Sequence, residues 1–275
     1  MANRVLPLSE SASAAIESAP TAGVAHPSGR FAQQWAFLLF YWRCVGFNAR
    51  LAFRKANPDR EADVREIREL LAVNCAQYLR DLAARNLVHC RFEGFEEVTQ
   101  WKGSIVVANH PSILDALCFF WKMPGIGCVV GMNPWGNPLL SHPARMADFV
   151  PRDPALRMLK EVRQRLGRGE NILIFPEGTR TTRGALNPFH EGAALMAAKS
   201  GAPIRTVFIE CNSLFLGKGY SFFDRTSGPI VFRFSTGEIL QPRAGEAARD
   251  LSRRLESCYR KRLARDGERI FCVSP

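Results

Sequence analysis

Short apolar runs alternate with amphipathic stretches along most of the chain. Segments of strand length, mainly apolar or (at residues 88–92) alternating apolar and polar, are found at residues 88–92, 105–108, 126–130, 148–151, 171–175, 204–209 and 230–234. Longer stretches between them carry apolar residues every three or four positions, which predicts helices. Alternating strands and helices are typical of an α/β fold. We therefore predict a single α/β domain with a mostly parallel central sheet flanked by helices.

The amphipathic stretches predict helices at residues 63–84, 154–168, 191–199 and 246–265. In the second of these, the Arg and Lys side chains are predicted to lie in solvent. Its buried face is predicted to comprise Leu156, Leu159, Val162 and Leu166. The last helix is predicted to bury Leu251, Leu255, Tyr259 and Leu263. Its basic face is predicted either to lie in solvent or to contact anionic lipid, and comprises Arg253, Arg254, Arg260, Lys261 and Arg262.

The start of the chain differs from the rest. Residues 1–30 are rich in Ala, Ser and Pro without an apolar core, which predicts a disordered tail. Residues 31–86 are predicted to form a helical, membrane-associated region, and residues 87–275 the α/β domain. A charge-free run of 12 residues begins at Phe31, whereas a membrane span needs about 20. A stripe of Arg43, Arg50 and Arg54 beside aromatic residues instead predicts a helix lying in the membrane interface. Packing on the domain and a tilted span are the alternatives.

Composition narrows the choice of partners. The 275 residues can bury one large core, and the hydrophobic fraction of 47% is ordinary for a globular protein. The net charge of +11 favours an anionic partner: nucleic acid, an acidic membrane surface or a phosphorylated substrate. The eight cysteines show no C-x-x-C spacing, so they predict neither a zinc site nor a disulfide framework. They favour reduced thiols in a protein that faces the cytosol.

The apolar run at residues 105–108 ends at a polar break that contains His110. Pro111 follows it, and Asp115 lies in the next predicted helix. Two residues five apart would be about 140° apart on a continuous helix. If His110 precedes the helix, however, the Asp115 carboxylate can bond one ring nitrogen and leave the other as a base. A structural His beside a capping Asp is the alternative.

A second predicted strand, at residues 171–175, also ends at a loop with ionisable side chains, Pro176-Glu177-Gly178-Thr179-Arg180. In open α/β sheets, ligands bind beyond the carboxyl ends of the strands. We therefore expect the two loops to meet at one edge of the sheet.

The two loops together resemble the motifs of the glycerolipid acyltransferase superfamily, which includes the bacterial 1-acylglycerol-3-phosphate acyltransferases. The first is Asn109-His110-x-x-x-x-Asp115, and about sixty residues later comes Phe175-Pro176-Glu177-Gly178-Thr179-Arg180. Residues 148–152 resemble the second block of the family, which ends in a phosphate-binding arginine. Residues 202–209 resemble the fourth, although Thr206 stands where a second proline is common. The resemblance covers roughly residues 88–240.

The resemblance implies a lysophospholipid acyltransferase that moves a fatty acyl group from a thioester to a hydroxyl of a lysophosphatidic-acid-like acceptor. The acyl donor would be acyl-CoA or acyl-carrier protein, with no metal or other cofactor. His110 would be the general base and Asp115 would orient it. The implied substrate-binding residues are Arg152, Glu177, Gly178, Thr179 and Arg180. Glu177 is expected to bond an acceptor hydroxyl.

Three further polar residues are assigned structural roles. Ser112 is interpreted as a local cap, not as a nucleophile. His142 is predicted to lie in a loop. His190 is predicted to have a structural role, because no Asp or Glu lies at a sequence spacing from it that indicates a catalytic pair.

Other functions are weaker matches to the sequence. A metal-dependent hydrolase would lack a second histidine ligand at a suitable spacing. A non-catalytic basic scaffold on a membrane or nucleic acid is disfavoured by the intact motifs. The acceptor could also be an amino-acid-linked lysolipid such as lyso-ornithine lipid, or a specialised lipid or polyene. The predicted partners are an anionic membrane surface and a lysolipid acceptor, with no nucleic acid, at the cytoplasmic face of the inner or plasma membrane.

Overall fold

A computed structural model describes residues 14, 16–17, 31–131, 135–182, 186–213 and 228–270. The helices are α1 (Phe31–Phe53), α2 (Arg60–Ala83), α3 (Leu114–Lys122), α4 (Pro138–Met146), α5 (Ala155–Gly167), α6 (Gly192–Ser200) and α7 (Ala248–Ile270). A 3-10 helix spans Phe95–Gln100. The strands are β1 (Val88–Glu93), β2 (Ile105–Ala108), β3 (Gly127–Val130), β4 (Val150–Pro151), β5 (Ile172–Ile174), β6 (Ile204–Cys211) and β7 (Ile230–Leu240).

These strands form a seven-stranded sheet in the order β1-β7-β6-β2-β5-β3-β4. Only β6 and β7 pair antiparallel; the other neighbours are parallel. The predicted α/β fold with a mostly parallel sheet is therefore confirmed. Because β2 and β5 are parallel neighbours, the loops that follow them leave the sheet at the same edge.

Helices cover both faces of the central strands. Along β2, Ile105 and Val107 join one buried cluster, whereas Val106 and Ala108 join the other, as the alternation of strand side chains requires. The first cluster contains side chains of α5, α6 and α7, and the second contains side chains of α2 and α3. This double coverage explains why the central strands are apolar throughout.

The predicted inward face of α7 is confirmed, since Leu251, Leu255, Tyr259 and Leu263 are all buried. The Tyr259 hydroxyl donates to the Val107 carbonyl at 2.7 Å and accepts from the Val207 N–H at 3.2 Å. It thus ties α7 to β2 and β6, close to the point where β2 ends.

The prediction for α5 was wrong in two places. Leu156 is 84% exposed, whereas Arg165 is only 5% exposed. The buried face is centred on Met158 and Val162, and at about 100° per residue Leu156 lies nearly opposite Met158. The buried positive charge of Arg165 is balanced by an ion pair with Asp148, in which Nη2 lies 2.9 Å from Oδ2.

Helix α1 spans Phe31–Phe53, and two arginines of the predicted basic stripe have partners on α2. Arg43 forms an ion pair with Asp81, and Arg54 forms one with Asp63 at 2.6 Å. On another face of α1, Leu38, Tyr41, Trp42 and Val45 are exposed, and we refer to these four residues as the α1 stripe. None of the described helices combines the length and apolarity needed to cross a bilayer.

Most of the predicted disordered tail, residues 1–30, lies outside the described residues. Of its described residues, Ile16 is buried. Glu17 forms an ion pair with Lys122 at the end of α3.

Candidate active site

Asn109 fixes the point where the first motif loop leaves the sheet. Its Nδ2–H donates to the Ile209 carbonyl and its Oδ1 accepts from the Ile209 N–H, both at 2.8 Å. The side chain is buried and extends the pairing of β2 with β6 by one residue. His110 therefore begins the loop at the carboxyl edge of the sheet.

The structure brings His110 and Asp115 together as their spacing predicts. His110 precedes α3 and Asp115 lies in its first turn, with Nδ1 3.1 Å from Oδ1. The fully buried carboxylate also accepts from the N–H groups of Ser112 and Ala116, each at 3.1 Å. Because a carboxylate can only accept, Nδ1 carries the proton and Nε2 is the basic nitrogen. Ser112 is a local support as predicted, since its Oγ accepts from the Leu114 N–H.

Phe175, the residue after β5, fixes the plane of the His110 ring. The two rings are stacked, with centroids 4.0 Å apart and an interplanar angle of 15°. The imidazole is thus held at its edge by Asp115 and on its face by Phe175.

Glu177 joins the two motif loops. Its Oε1 accepts from the His110 N–H at 2.7 Å, and its Oε2 accepts from the Asn187 N–H at 2.9 Å. The Thr181 hydroxyl donates to the same carboxylate, and the Thr181 N–H donates to the His110 carbonyl at 2.7 Å. The carboxylate is 2% exposed. Burial raises its pKa, while the Asn187, His110 and Thr181 donors act in the opposite direction.

Sequence reasoning missed Thr181 and Asn187. Thr181 directly follows the second motif, so its position offered a signal. Asn187 offered none, because it reaches Glu177 only through the fold of the intervening loop. It also holds that loop by donating from Nδ2 to the Arg180 carbonyl at 3.2 Å.

Gly178 occupies a position that other residues would strain. Its φ is +67°, and a Cβ there would lie 2.8 Å from His190 Cδ2 and 3.3 Å from Arg152 Nη1. Both the left-handed backbone and the close approach require glycine. Arg152, which follows β4, is exposed, with Nη1 3.5 Å from the Gly178 carbonyl.

The predicted site residues therefore form one cluster at the sheet edge. His110, Asp115 and Glu177 are joined by hydrogen bonds, and Arg152 contacts Gly178. Thr179 and Arg180 lie on the same turn and are partly exposed.

Other chemistry-bearing side chains lie apart from this cluster. His142 is on α4, not in the predicted loop, and its Nδ1 is 2.8 Å from Asn48 Oδ1. Across the described residues, no group of three or more His, Cys, Asp or Glu side chains could hold a metal ion.

Comparisons with known proteins agree with this geometry. Residues 89–210 match the family model described as Acyltransferase, and this segment includes both motif loops. The chain is 29% identical over 167 residues to the human 1-acyl-sn-glycerol-3-phosphate acyltransferase beta, covering 57% of each chain. These matches agree with the resemblance to glycerolipid acyltransferases that the two motif loops indicated. A 1-acyl-sn-glycerol-3-phosphate acyltransferase of Limnanthes douglasii is 31% identical over 125 residues, covering 43% of this chain and 44% of the relative.

A solved structure has a similar fold. It is the crystal structure of the 1-acyl-sn-glycerophosphate (LPA) acyltransferase PlsC from Thermotoga maritima, with a TM-score of 0.63 and 20% sequence identity. The match covers 86% of this chain and 94% of that one. By contrast, the chain spans only about half the length of the human and Limnanthes relatives, at 57% and 44%.

Proposed function

We propose that this chain is a lysophospholipid acyltransferase that moves a fatty acyl group from a thioester to a hydroxyl of a lysophosphatidic-acid-like acceptor. The observation that carries the proposal is the His110–Asp115 pair, held at the carboxyl edge of the sheet by the Glu177 loop. Among the described residues, His110 Nε2 has no hydrogen-bond partner, so it is available to a substrate hydroxyl.

In the proposed reaction, Nε2 of His110 accepts the proton of the acceptor hydroxyl as its oxygen attacks the thioester carbonyl carbon. Asp115 stabilises the imidazolium that forms. The tetrahedral intermediate then collapses, the C–S bond breaks, and the thiolate takes the proton from the imidazolium. Because the acceptor supplies the nucleophile, no enzyme hydroxyl or cofactor is needed. General-base catalysis of this kind contributes about 10²- to 10⁴-fold in rate.

The remaining residues of the cluster are proposed to place the acceptor. Arg152 suits an anionic group of the acceptor, because guanidinium binds phosphate or carboxylate through two parallel hydrogen bonds. Arg180, on the neighbouring turn, suits the same group. Glu177 was expected to bond an acceptor hydroxyl, but its oxygens already accept from protein donors. We propose instead that Glu177 positions the two loops around His110.

The donor and the location follow from the same proposal. The donor is acyl-CoA or acyl-carrier protein. An anionic membrane surface, at its cytoplasmic face, would supply the lysolipid, and the net charge of +11 and the exposed α1 stripe support this location.

The proposal is tested by incubating wild-type protein and His110→Ala with lysophosphatidic acid and a fatty acyl thioester, with and without a chelator. We expect wild type to form phosphatidic acid and to release thiol. The variant should be slower by about 10²- to 10⁴-fold, because the base is lost. His142→Ala, which changes a histidine outside the cluster, is the matched control and should keep wild-type activity.

Other outcomes separate the alternatives. Thiol release without phosphatidic acid would move the search to acceptors such as lyso-ornithine lipid. Activity that the chelator abolishes would favour a metal-dependent reaction. Absence of His110-dependent turnover across a panel of acceptors would contradict the acyltransferase mechanism.

A further inference from the structure

The imidazole of His190 lies beside Gly178, on the same loop edge as Arg152. A Cβ built on Gly178 would be 3.1 Å from His190 Nε2 and 3.3 Å from Arg152 Nη1. The imidazole and the guanidinium therefore meet around a single backbone position of the second motif. From the sequence, His190 was predicted to have a structural role.

The contacts of His190 do not support a structural role for its ring. Its backbone N–H donates to the Pro176 carbonyl at 2.8 Å, and the neighbouring Phe189 N–H donates to Glu256 Oε2 at 3.0 Å. The backbone is thus fixed, but the side chain is exposed. Its ring has no hydrogen bond or ion pair within the described part of the chain.

The other described histidines differ in this respect. The buried His89 has Nε2 2.8 Å from Asn86 Oδ1, and His142 bonds Asn48. His110 bonds Asp115. A histidine whose backbone is fixed while its ring nitrogens remain unbonded beside an arginine is suited to a ligand.

The charge around Gly178 indicates the chemistry of that ligand. Arg152 Nε contacts Asp153 Oδ2 at 3.3 Å, which leaves its two Nη groups to bind two oxygens of an anion, and an imidazole N–H beside them can donate to a third. A phosphomonoester has three terminal oxygens, whereas a carboxylate has two. The nearby Glu177 carboxylate is buried and bonded to protein donors, so it does not compete for this position.

We propose that His190 binds the phosphomonoester of the acceptor together with Arg152, and thereby favours lysolipids that carry the phosphate over those that lack it. This inference rests on the proposed function, because it concerns the acceptor of that reaction. It makes His190 a specificity-determining residue, separate from the His110 base.

The test is steady-state kinetics of wild type, His190→Ala and His190→Lys with two acceptors, lysophosphatidic acid and 1-acylglycerol, which lacks the phosphate. His190→Ala should raise KM for lysophosphatidic acid about tenfold, the effect expected from one charge-assisted hydrogen bond at an exposed site. Its kcat, its KM for the acyl thioester and its turnover of 1-acylglycerol should stay at wild-type values. His190→Lys should restore most of the KM, because it restores a hydrogen-bond donor to the phosphate. His142→Ala is the matched control.

A second measurement does not depend on turnover. The ring signals of His190 in ¹H–¹³C NMR spectra of the wild-type protein, assigned with His190→Ala, are followed during titration with sn-glycerol 3-phosphate. We expect these signals to shift, and to shift less in Arg152→Ala.

The outcomes distinguish this inference from the proposed function. If wild type forms phosphatidic acid and His190→Ala has an unchanged KM, the inference is wrong and the function stands. A fall in kcat with both acceptors, together with a lower melting temperature, would establish a structural role and also overturn it. If wild type does not use lysophosphatidic acid, the proposed function fails. The NMR titration with sn-glycerol 3-phosphate then tests the anion site independently of turnover. Shifted His190 signals would support the site, and unchanged signals would reject it.

Discussion

At the scale of single residues, His110 is held by two carboxylates that act on different parts of it. Asp115 bonds its ring, and Glu177 bonds its backbone N–H. The first contact sets the tautomer, and the second sets where the loop lies relative to β5. Fixing a base before the substrate arrives lowers the cost of reaching the reactive geometry. Glu177 therefore positions the base, and Asp115 sets its tautomer.

Because burial raises the pKa of the Glu177 carboxyl, this residue should affect stability in a pH-dependent way. A raised folded-state pKa means that the folded protein binds this proton more tightly than the unfolded chain does. The corresponding stability is present below the unfolded pKa, about 4.3, and is lost as pH rises through the folded pKa. Glu177→Gln cannot titrate. We therefore expect the unfolding free energy of wild type minus that of the variant to fall as pH rises from about 4 towards 7.

Urea denaturation of both proteins across this range measures that difference. Glu69→Gln, which replaces an exposed carboxylate on α2, is the matched control and should show no comparable trend. A difference that stays constant or grows with pH would contradict the assignment of Glu177 as a carboxylate whose ionisation is opposed by burial.

At the scale of elements, helix α7 supports the strand that carries His110. The Tyr259 hydroxyl bonds backbone groups of both β2 and β6 from within the core. Tyr259→Phe would leave these buried groups with one partner fewer, at a cost of about 1–3 kcal/mol of unfolding free energy. Urea denaturation at fixed pH measures this loss. Tyr41→Phe, at a 43% exposed position, should be neutral; equal effects of the two substitutions would show that the Tyr259 hydroxyl does not anchor the helix.

The same scale shows what local patterns can predict. Strands β2 and β5 were recognised because their apolar runs end abruptly at polar loops, and the His110–Asp115 contact followed from a spacing of five residues. The burial of Arg165 could not be predicted this way, because its partner Asp148 lies on another segment. Likewise, Asn187 and His190 reach the site only through the path of a loop. Long-range contacts of this kind leave no periodic signal in the sequence.

At the scale of the whole molecule, the chain has a net charge of +11, but several of its basic side chains form ion pairs with acidic neighbours. On α7, Arg254 pairs with Glu246 at 2.9 Å and Arg260 pairs with Glu256 at 2.7 Å. These pairs weaken the case for α7 as a lipid-binding surface. The α1 stripe differs, because it exposes large apolar side chains on the helix that also carries the exposed Arg50. Such a combination suits the interface of an anionic membrane.

The α1 stripe should therefore contribute to membrane binding, and Trp42, at 74% exposure, is its most exposed member. Trp42→Glu removes a large apolar side chain and adds a charge of the same sign as the lipid. Burial of such a side chain is worth about 1.5–3 kcal/mol, so the variant should bind vesicles of anionic phospholipid at least about tenfold more weakly in a sedimentation assay. Ile239→Glu changes an exposed apolar residue on β7 and should bind as wild type does. Raising the salt concentration should weaken binding of wild type and Ile239→Glu alike, since salt screens the basic surface. Equal losses in the two variants would indicate a general effect of charge and would reject the α1 stripe as the membrane contact.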